Sequence, residues 1–110
     1  EALVSEYVSL KDFLQSLTQV MTPLAQEKEL NIESQCTDGT AYFDAMRMRQ
    51  AILNVIGNAI RYTEPGGTIR ISNHQKDGES CIEISDTGIG IAPDKIKYIF
   101  SKGFNISVKY

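Results

Sequence analysis

The segment that decides the fold runs from Asp44 to Gly67 and reads DAMRMRQAILNVIGNAIRYTEPGG. Asp is a preferred residue type at helix starts, and the Pro-Gly-Gly run at the end of the segment stops a helix. Between them, apolar residues recur at helical spacing, which predicts a helix over Ala45 to Tyr62. Two apolar sets share this helix, so we expect it to be buried on most sides. They are Met46, Leu53, Ile56 and Ile60, and Met48, Ile52, Val55 and Ala59.

The sequence before this segment predicts one helix and two strands. Ser9 is a typical N-cap, and an apolar stripe at helical spacing continues to about Lys28, with Pro23 as a point where the helix kinks. Residues 31–36 and 40–43 have strand character and flank Asp38-Gly39, a dipeptide typical of tight turns. We therefore expect two short strands joined by a tight turn.

The sequence after the segment predicts a hairpin and a short helix. Two alternating runs, 68–73 and 80–85, place isoleucines on one face of each strand. A glycine-bearing loop follows at residues 86–91, and Pro93 suits the first position of a helix over 94–100. Together the elements predict an α+β sandwich in which one sheet carries helices on one face.

Composition excludes several classes of function. The chain has 110 residues and a formal net charge of -3, from 11 Lys and Arg against 14 Asp and Glu. One core is expected at this length, and the absence of a basic face disfavours nucleic-acid binding. No apolar run is long enough to span a bilayer. A single histidine, His74, excludes a three-histidine metal site, and Cys36 and Cys81 are interpreted as a reduced pair.

Asn54 and Asn58 are unusual because they interrupt the apolar part of the predicted helix. They are four residues apart and share a face, so as buried amides they would need partners. One interpretation is that they tie the helix to the sheet. The other is a Mg²⁺ site completed by phosphate oxygens, which Arg61 and Tyr62 could also reach. Taken alone, Arg61 is better explained as a solvated cation that the helix dipole favours at the helix end.

Asp86 is the second unusual residue, because it follows an apolar strand and precedes Thr-Gly-Ile-Gly. Glycines allow a backbone to approach a ligand closely, and a carboxylate can accept a hydrogen bond from an exocyclic amine. Adenine offers that amine, whereas guanine offers a carbonyl. Turns after strands are often rich in Asp and Gly, so this motif alone has low specificity.

Taken together, the motifs resemble the ATP-binding domain of bacterial sensor histidine kinases. Residues 44–67 contain D-x-x-R-x-x-Q-x-x-x-N-x-x-x-N-A-x-R-Y-T-x-x-G-G, which is similar to the family's N box. Residues 86–91, DTGIGI, are similar to its first glycine box, and residues 99–104, IFSKGF, resemble its F box. The resemblance implies the Bergerat ATP-binding fold, a two-layer α/β sandwich with a mixed sheet, and ATP and Mg²⁺ as cofactors.

The resemblance also implies roles for individual residues. Asn58 would be the Mg²⁺ ligand, Asn54 would assist it, and Arg61 and Tyr62 would approach the phosphates. In the wider superfamily the position of Asn54 holds a Glu that activates water, and Asn cannot act as that base. This difference fits an enzyme that delivers the γ-phosphoryl group to a protein histidine. Asp86 would bind the adenine amine, and the remaining pocket residues would be Gly88, Gly90 and Ile91.

The family's domain arrangement gives further expectations. Residues 1–8 are interpreted as the end of a dimerisation helix or linker, and residues 9–110 as the ATP-binding domain. The phosphoacceptor histidine would lie in the dimerisation domain of the same kinase, and a response regulator would be reached through that parent. His74, in a hairpin, is a poor acceptor candidate. We expect a cytoplasmic domain of a parent protein that is either membrane-bound or cytosolic.

The C-terminal part of the family pattern is incomplete in this sequence. No second glycine box follows Phe104, and the tail at 105–110 alternates like a strand. An uncovered sheet face would favour dimerisation or strand exchange. Two alternatives to a histidine kinase domain stay open: a nucleotide-binding or interaction module without catalysis, which the missing glycine box favours, and an anti-sigma-factor serine kinase relative from the same superfamily.

Overall fold

Two helices and a five-stranded sheet form two layers around one core. The computed structural model describes residues 4–76, 79–86, 96–101 and 104–109. Within these ranges there are two helices and seven strands. In chain order they are β1 Glu6–Ser9, α1 Leu10–Glu27, β2 Asn31–Gln35, β3 Thr40–Phe43, α2 Ala45–Tyr62, β4 Thr68–Lys76, β5 Glu79–Asp86, β6 Ile96–Ser101 and β7 Phe104–Lys109.

Both helices begin at the residues that the sequence predicts. The Ser9 hydroxyl accepts a hydrogen bond from the N–H of Asp12 at 3.4 Å, and the Asp44 carboxylate accepts one from the N–H of Arg47 at 3.1 Å. Each side chain thus satisfies an amide that the first helical turn leaves without a partner. The predicted bounds of α2 are confirmed, and α1 ends one residue before Lys28.

The main sheet is mixed, as the sequence predicts. Its strand order is β2-β4-β5-β7-β6, with parallel pairing of β2 to β4 and of β5 to β7. The other two pairs, β4 with β5 and β6 with β7, are antiparallel. The predicted hairpin of β4 and β5 is confirmed, and β7 confirms the strand expected in the tail.

The core lies between the two helices and one face of this sheet. The four isoleucines predicted to share that face are Ile69, Ile71, Ile82 and Ile84, and all four are fully buried. They join a single cluster with residues of both helices, among them Leu14, Leu17, Ile52 and Ile56. Burying such side chains contributes roughly 1.5 to 3 kcal/mol each, so this contact sets the position of α2 on the sheet.

The expectation for residues 31–43 is correct in its strands and wrong in how they are joined. β2 pairs with β4, whereas β3 pairs antiparallel with β1 in a separate two-stranded sheet. A parallel partner needs a crossover connection, and α2 supplies it between β2 and β4. The expected tight turn at Asp38-Gly39 is therefore wrong: residues 36–39 are an irregular connection that takes the chain from one sheet to the other.

Two further expectations are corrected at the chain's ends. Residues 1–8 are interpreted above as the end of a dimerisation helix or a linker; Glu6–Ser9 form β1, so Glu6 to Val8 are not helical. Residues Ile96–Ser101 form β6, although a helix was expected over 94–100. Ile, Tyr and Phe in this run favour strands, and pairing with β7 satisfies the backbone.

Candidate functional site

A stripe of exposed polar side chains runs along α2 on the side away from the core. Its members are spaced three or four residues apart and are all exposed: Arg47, Gln50, Asn54, Asn58 and Arg61. The core face of the same helix consists of Met48, Ile52, Val55, Ile56 and Ala59. We call the exposed set the α2 polar stripe.

Exposure of the stripe corrects two expectations about this helix. Asn54 and Asn58 are exposed rather than buried, so their amides carry no desolvation cost that a protein partner must offset. Met46 is 79% exposed, so α2 is not buried on most sides. The two amides point away from the core, which excludes the interpretation that they tie the helix to the sheet from inside.

The N-terminal end of α2 is fixed by Asp44. Besides the N–H of Arg47, its carboxylate accepts a hydrogen bond from the N–H of Val4 at 3.0 Å. These hydrogen bonds hold the pKa of the Asp44 carboxyl below its ordinary value of 3.8. The bond from the Val4 N–H has the largest effect, and the bond from the Arg47 N–H has the next largest. The segment before β1 is thereby attached to the helix that carries the stripe.

The C-terminal end of α2 is held from outside the helix. Thr63 is fully buried, and its N–H and its hydroxyl both donate to the Ala59 carbonyl, at 3.0 and 2.6 Å. The ammonium of Lys28 donates to the carbonyls of Ile60 at 2.8 Å and Arg61 at 2.6 Å. These bonds satisfy carbonyls that the last helical turn leaves without partners.

Arg61 and Tyr62 lie together at this end. The guanidinium carbon of Arg61 is 5.6 Å from the centroid of the Tyr62 ring, and both residues are exposed. This is the geometry of a cation–π contact, an attraction of about 0.5 to 1 kcal/mol at an exposed site. A cation and a phenol are therefore presented to solvent beside the last turn of the stripe.

Asp86 is the last residue of β5 and lies on the helix-covered face of the sheet. It pairs with Ile69 across the antiparallel ladder, and directly opposed residues point to the same face. Asp86 is half-buried, and its Oδ2 atom is shielded from solvent. A carboxylate in such a position has restricted access to water and is oriented by the strand that carries it.

The topology places Asp86 and the end of α2 at the same end of the domain. Residues 63–67 alone connect α2 to β4, and Asp86 pairs with the second residue of β4. Asn54, Asn58, Arg61 and Tyr62 are thus assembled on α2, and Asp86 stands on the strand next to β4. The predicted pocket residues Gly88, Gly90 and Ile91 lie outside the described residues.

The donor set fits a metal ion that is held mainly by a ligand. In the described part of the chain, no group of three or more His, Cys, Asp or Glu could hold a metal ion. Asn58 offers one amide oxygen, a hard donor of the kind that Mg²⁺ accepts alongside phosphate oxygens and waters. The residues present therefore suit Mg²⁺ that arrives with a polyphosphate.

Other reactive side chains stand apart from this region. His74 is exposed on β4, opposite Cys81. Cys36 and Cys81 are free thiols, as the sequence predicts, and burial raises the pKa of the Cys36 thiol above its ordinary 9.0. A thiol with a raised pKa is protonated at neutral pH, so Cys36 is not suited to nucleophilic chemistry.

Sequence reasoning missed two contacts that hold α2. Neither the bond from Val4 to Asp44 nor that from Lys28 to the end of α2 has a local signal, since the partners are 40 and 32 residues apart. A weak indication existed for Lys28, because a cation just after one helix can cap the C-terminus of another. Which helix it would reach depends on the packing of α1 against α2.

Comparison with known proteins gives matches over most of the chain. The family model described as "Histidine kinase-, DNA gyrase B-, and HSP90-like ATPase" matches residues 43–109. Sensor histidine kinase RppB of Synechocystis sp. is 31% identical over 100 residues, which are 89% of this chain and 22% of RppB. Adaptive-response sensory kinase SasA of Synechococcus elongatus is 45% identical over 69 residues, which are 62% of this chain and 18% of SasA.

A solved structure extends the likeness to the fold. Full-length ShkA in complex with AMPPNP superposes with a TM-score of 0.76 at 31% identity, over 87% of this chain and 21% of that chain. This chain therefore spans about a fifth of the length of the three proteins compared. In the described residues, neither helix is long and apolar enough to cross a membrane.

Proposed function

The chain belongs to the family of histidine kinase-, DNA gyrase B- and HSP90-like ATPases, and we propose its function from that membership. Within the family it is an ATP-binding catalytic domain of the sensor histidine kinase type. We propose that it binds Mg-ATP for transfer of the γ-phosphoryl group to a protein histidine. The observation that carries the proposal is the α2 polar stripe, which ends beside the sheet terminus that bears Asp86. These groups match the two ends of an adenine nucleotide. The exposed amide pair, the cation and the phenol suit the phosphates, and the shielded carboxylate suits the adenine.

Each group in this arrangement has a distinct role in the proposal. The Asp86 carboxylate accepts a hydrogen bond from the exocyclic amine of adenine, and this bond discriminates against guanine, which has a carbonyl there. Arg61 and Tyr62 donate hydrogen bonds to phosphate oxygens. Asn58, assisted by Asn54, holds Mg²⁺ through its amide oxygen. Bound Mg²⁺ would neutralise charge on the phosphate oxygens.

The same residues explain why the site would favour transfer over hydrolysis. An amide at Asn54 has no basic atom with which to take a proton from water. Catalysis by this chain then consists of holding the phosphates in line and balancing their charge, which is the main requirement of phosphoryl transfer. The phosphoryl acceptor has to come from elsewhere, because the only histidine, His74, is exposed on β4 away from α2.

The proposed partners follow because this chain holds ATP and another domain supplies the phosphoryl acceptor. The acceptor histidine belongs to the dimerisation domain of the same kinase, and a response regulator then receives the phosphoryl group from it. The domain would work in the cytoplasm, where ATP and response regulators are available. The catalytically inactive alternative predicts nucleotide binding without transfer, so incubating the full-length kinase with γ-labelled ATP separates the two.

Calorimetric titration of this chain with ATP, once in Mg²⁺ and once in EDTA, tests whether Asn58 binds the metal ion. We expect ATP affinity to fall by about tenfold or more without Mg²⁺ in the wild type. Asn58→Ala should bind ATP weakly in both conditions, since its metal ligand is gone. Gln15→Ala, which removes an exposed amide from α1, is the matched control and should behave as wild type. An Asn58→Ala chain that keeps the full Mg²⁺ dependence would contradict the assignment.

A further inference from the structure

Lys28 bridges the two helices at the end of the domain where the proposed site lies. It is the residue that follows α1, and its side chain is half-buried. Its ammonium donates to the carbonyls of Ile60 at 2.8 Å and Arg61 at 2.6 Å, which both belong to the last turn of α2. We propose that Lys28 is a positioning residue of the nucleotide site, which acts through the backbone of Arg61. This inference rests on the proposed function.

The carbonyl of Arg61 needs an external donor because of the sequence that follows it. In a continuing helix the N–H of the residue four positions later would bond to it. That residue is Pro65, which has no N–H. Lys28 supplies the missing donor and places a positive charge at the negative end of the helix dipole. The last turn is thereby kept helical up to Tyr62.

A second pair of bonds holds the loop after α2 to the residues beside Lys28. The N–H of Gly66 donates to the carbonyl of Glu29 at 2.9 Å, and the N–H of Asn31 donates to the carbonyl of Gly67 at 3.0 Å. Gly66 adopts a φ of +93°, which a residue with a side chain rarely takes. The segment from Lys28 to Asn31 is therefore hydrogen-bonded both to the end of α2 and to the loop that leads to β4.

The consequence for the site is selective. Arg61 and Tyr62 extend from the turn that Lys28 holds, and both are exposed, so core packing does little to fix them. Helix ends open more readily than helix centres when their capping bonds are lost. Asp86, in contrast, is fixed by the β4–β5 ladder. Loss of Lys28 should weaken the hold on phosphates and leave adenine recognition unchanged.

The test compares two ligands that share adenosine and differ in the Mg²⁺-bound phosphates. NMR titrations with Mg-ATP and with adenosine give dissociation constants for wild type and Lys28→Met, a variant that removes the ammonium and keeps an unbranched side chain. We expect the ATP constant to rise about fivefold or more, and the adenosine constant to change less than about twofold. Lys28→Arg should restore ATP binding, because a guanidinium can also donate to two carbonyls. Lys11→Met, at the other end of α1, removes the same charge as a control.

The outcomes separate the inference from the function on which it rests. If the wild type binds ATP and Lys28→Met binds it equally well, the inference is overturned and the proposed function stands. An equal loss for ATP and adenosine would also overturn it, since that pattern indicates general destabilisation. If Lys28→Met does not fold, Lys28→Gln is measured in the same way, with the same expected selectivity. No ATP binding to the wild type would overturn the proposed function itself.

Discussion

Asp44 connects the segment before β1 to the helix that carries the proposed site. Its carboxylate accepts hydrogen bonds from the N–H groups of Val4 and Arg47. We expect Asp44→Ala to lower Tm by a few degrees at neutral pH, because the first turn of α2 loses its cap. Asp44→Asn should lower it less, since Asn is also a favoured N-cap. Thermal unfolding followed by circular dichroism measures both.

The same residue predicts a specific acid sensitivity. Because the folded pKa of Asp44 lies below its ordinary 3.8, the contribution of this carboxylate is complete above pH 3.8 and is lost as the pH falls through the folded pKa. Asn does not titrate, so Tm of Asp44→Asn should fall less steeply than that of wild type below pH 3.8. Parallel curves for the two proteins in this range would show that Asp44 does not contribute.

At the scale of residues, the sequence predicts contacts between near neighbours in the chain but not contacts between distant residues. The sequence identifies the caps at Ser9 and Asp44 because their partners are three residues away. It also marks Asn54 and Asn58 as unusual, but it places them in the core rather than on the surface. Two apolar sets overlap on α2, and only the packing of α1 and the sheet selects which one is buried.

At the scale of elements, α1 buries one face in the core that lies between the two helices and the sheet. Leu17 is 0% exposed within it, whereas Leu24 on the same helix is 50% exposed. Leu17→Ala should cost about 3 kcal/mol of unfolding free energy, from lost transfer energy and the cavity left behind. Leu24→Ala is the matched control and should change stability by less than about 0.5 kcal/mol. Urea denaturation compares them, and equal effects would contradict this description of the core.

The strands show what periodicity can and cannot predict. Alternation identifies β4 and β5 and the face that carries their isoleucines, because the connection between them is short. It also identifies β2 and β3 but not their partners, since the partner of β2 comes only after α2 and that of β3 lies before α1. For β6, a proline signal favoured a helix, and pairing with β7 outweighed it.

At the scale of the whole molecule, self-association stays a prediction. Several large apolar side chains are exposed, including Tyr7 at 79% and Tyr42 at 58%, whose rings lie 4.9 Å apart on the small sheet. Exposed apolar and edge-strand surface favours association between copies. Size-exclusion chromatography with light scattering should show a dimer fraction that grows with concentration. A monomer mass at all concentrations would contradict the prediction.

Calorimetric titration of wild type and Asp86→Asn with Mg-ATP and Mg-GTP shows whether Asp86 and the α2 polar stripe form one adenine-nucleotide site. Asp12→Asn, an exposed change of the same kind in α1, is the control, and circular dichroism establishes that each variant is folded. Wild type and the Asp12→Asn control should bind ATP saturably. Binding of GTP to wild type, and of ATP to Asp86→Asn, should be weaker by more than about a hundredfold. Equal binding of ATP and GTP, or unchanged ATP binding to Asp86→Asn, would show that Asp86 does not recognise adenine and would contradict the proposed site.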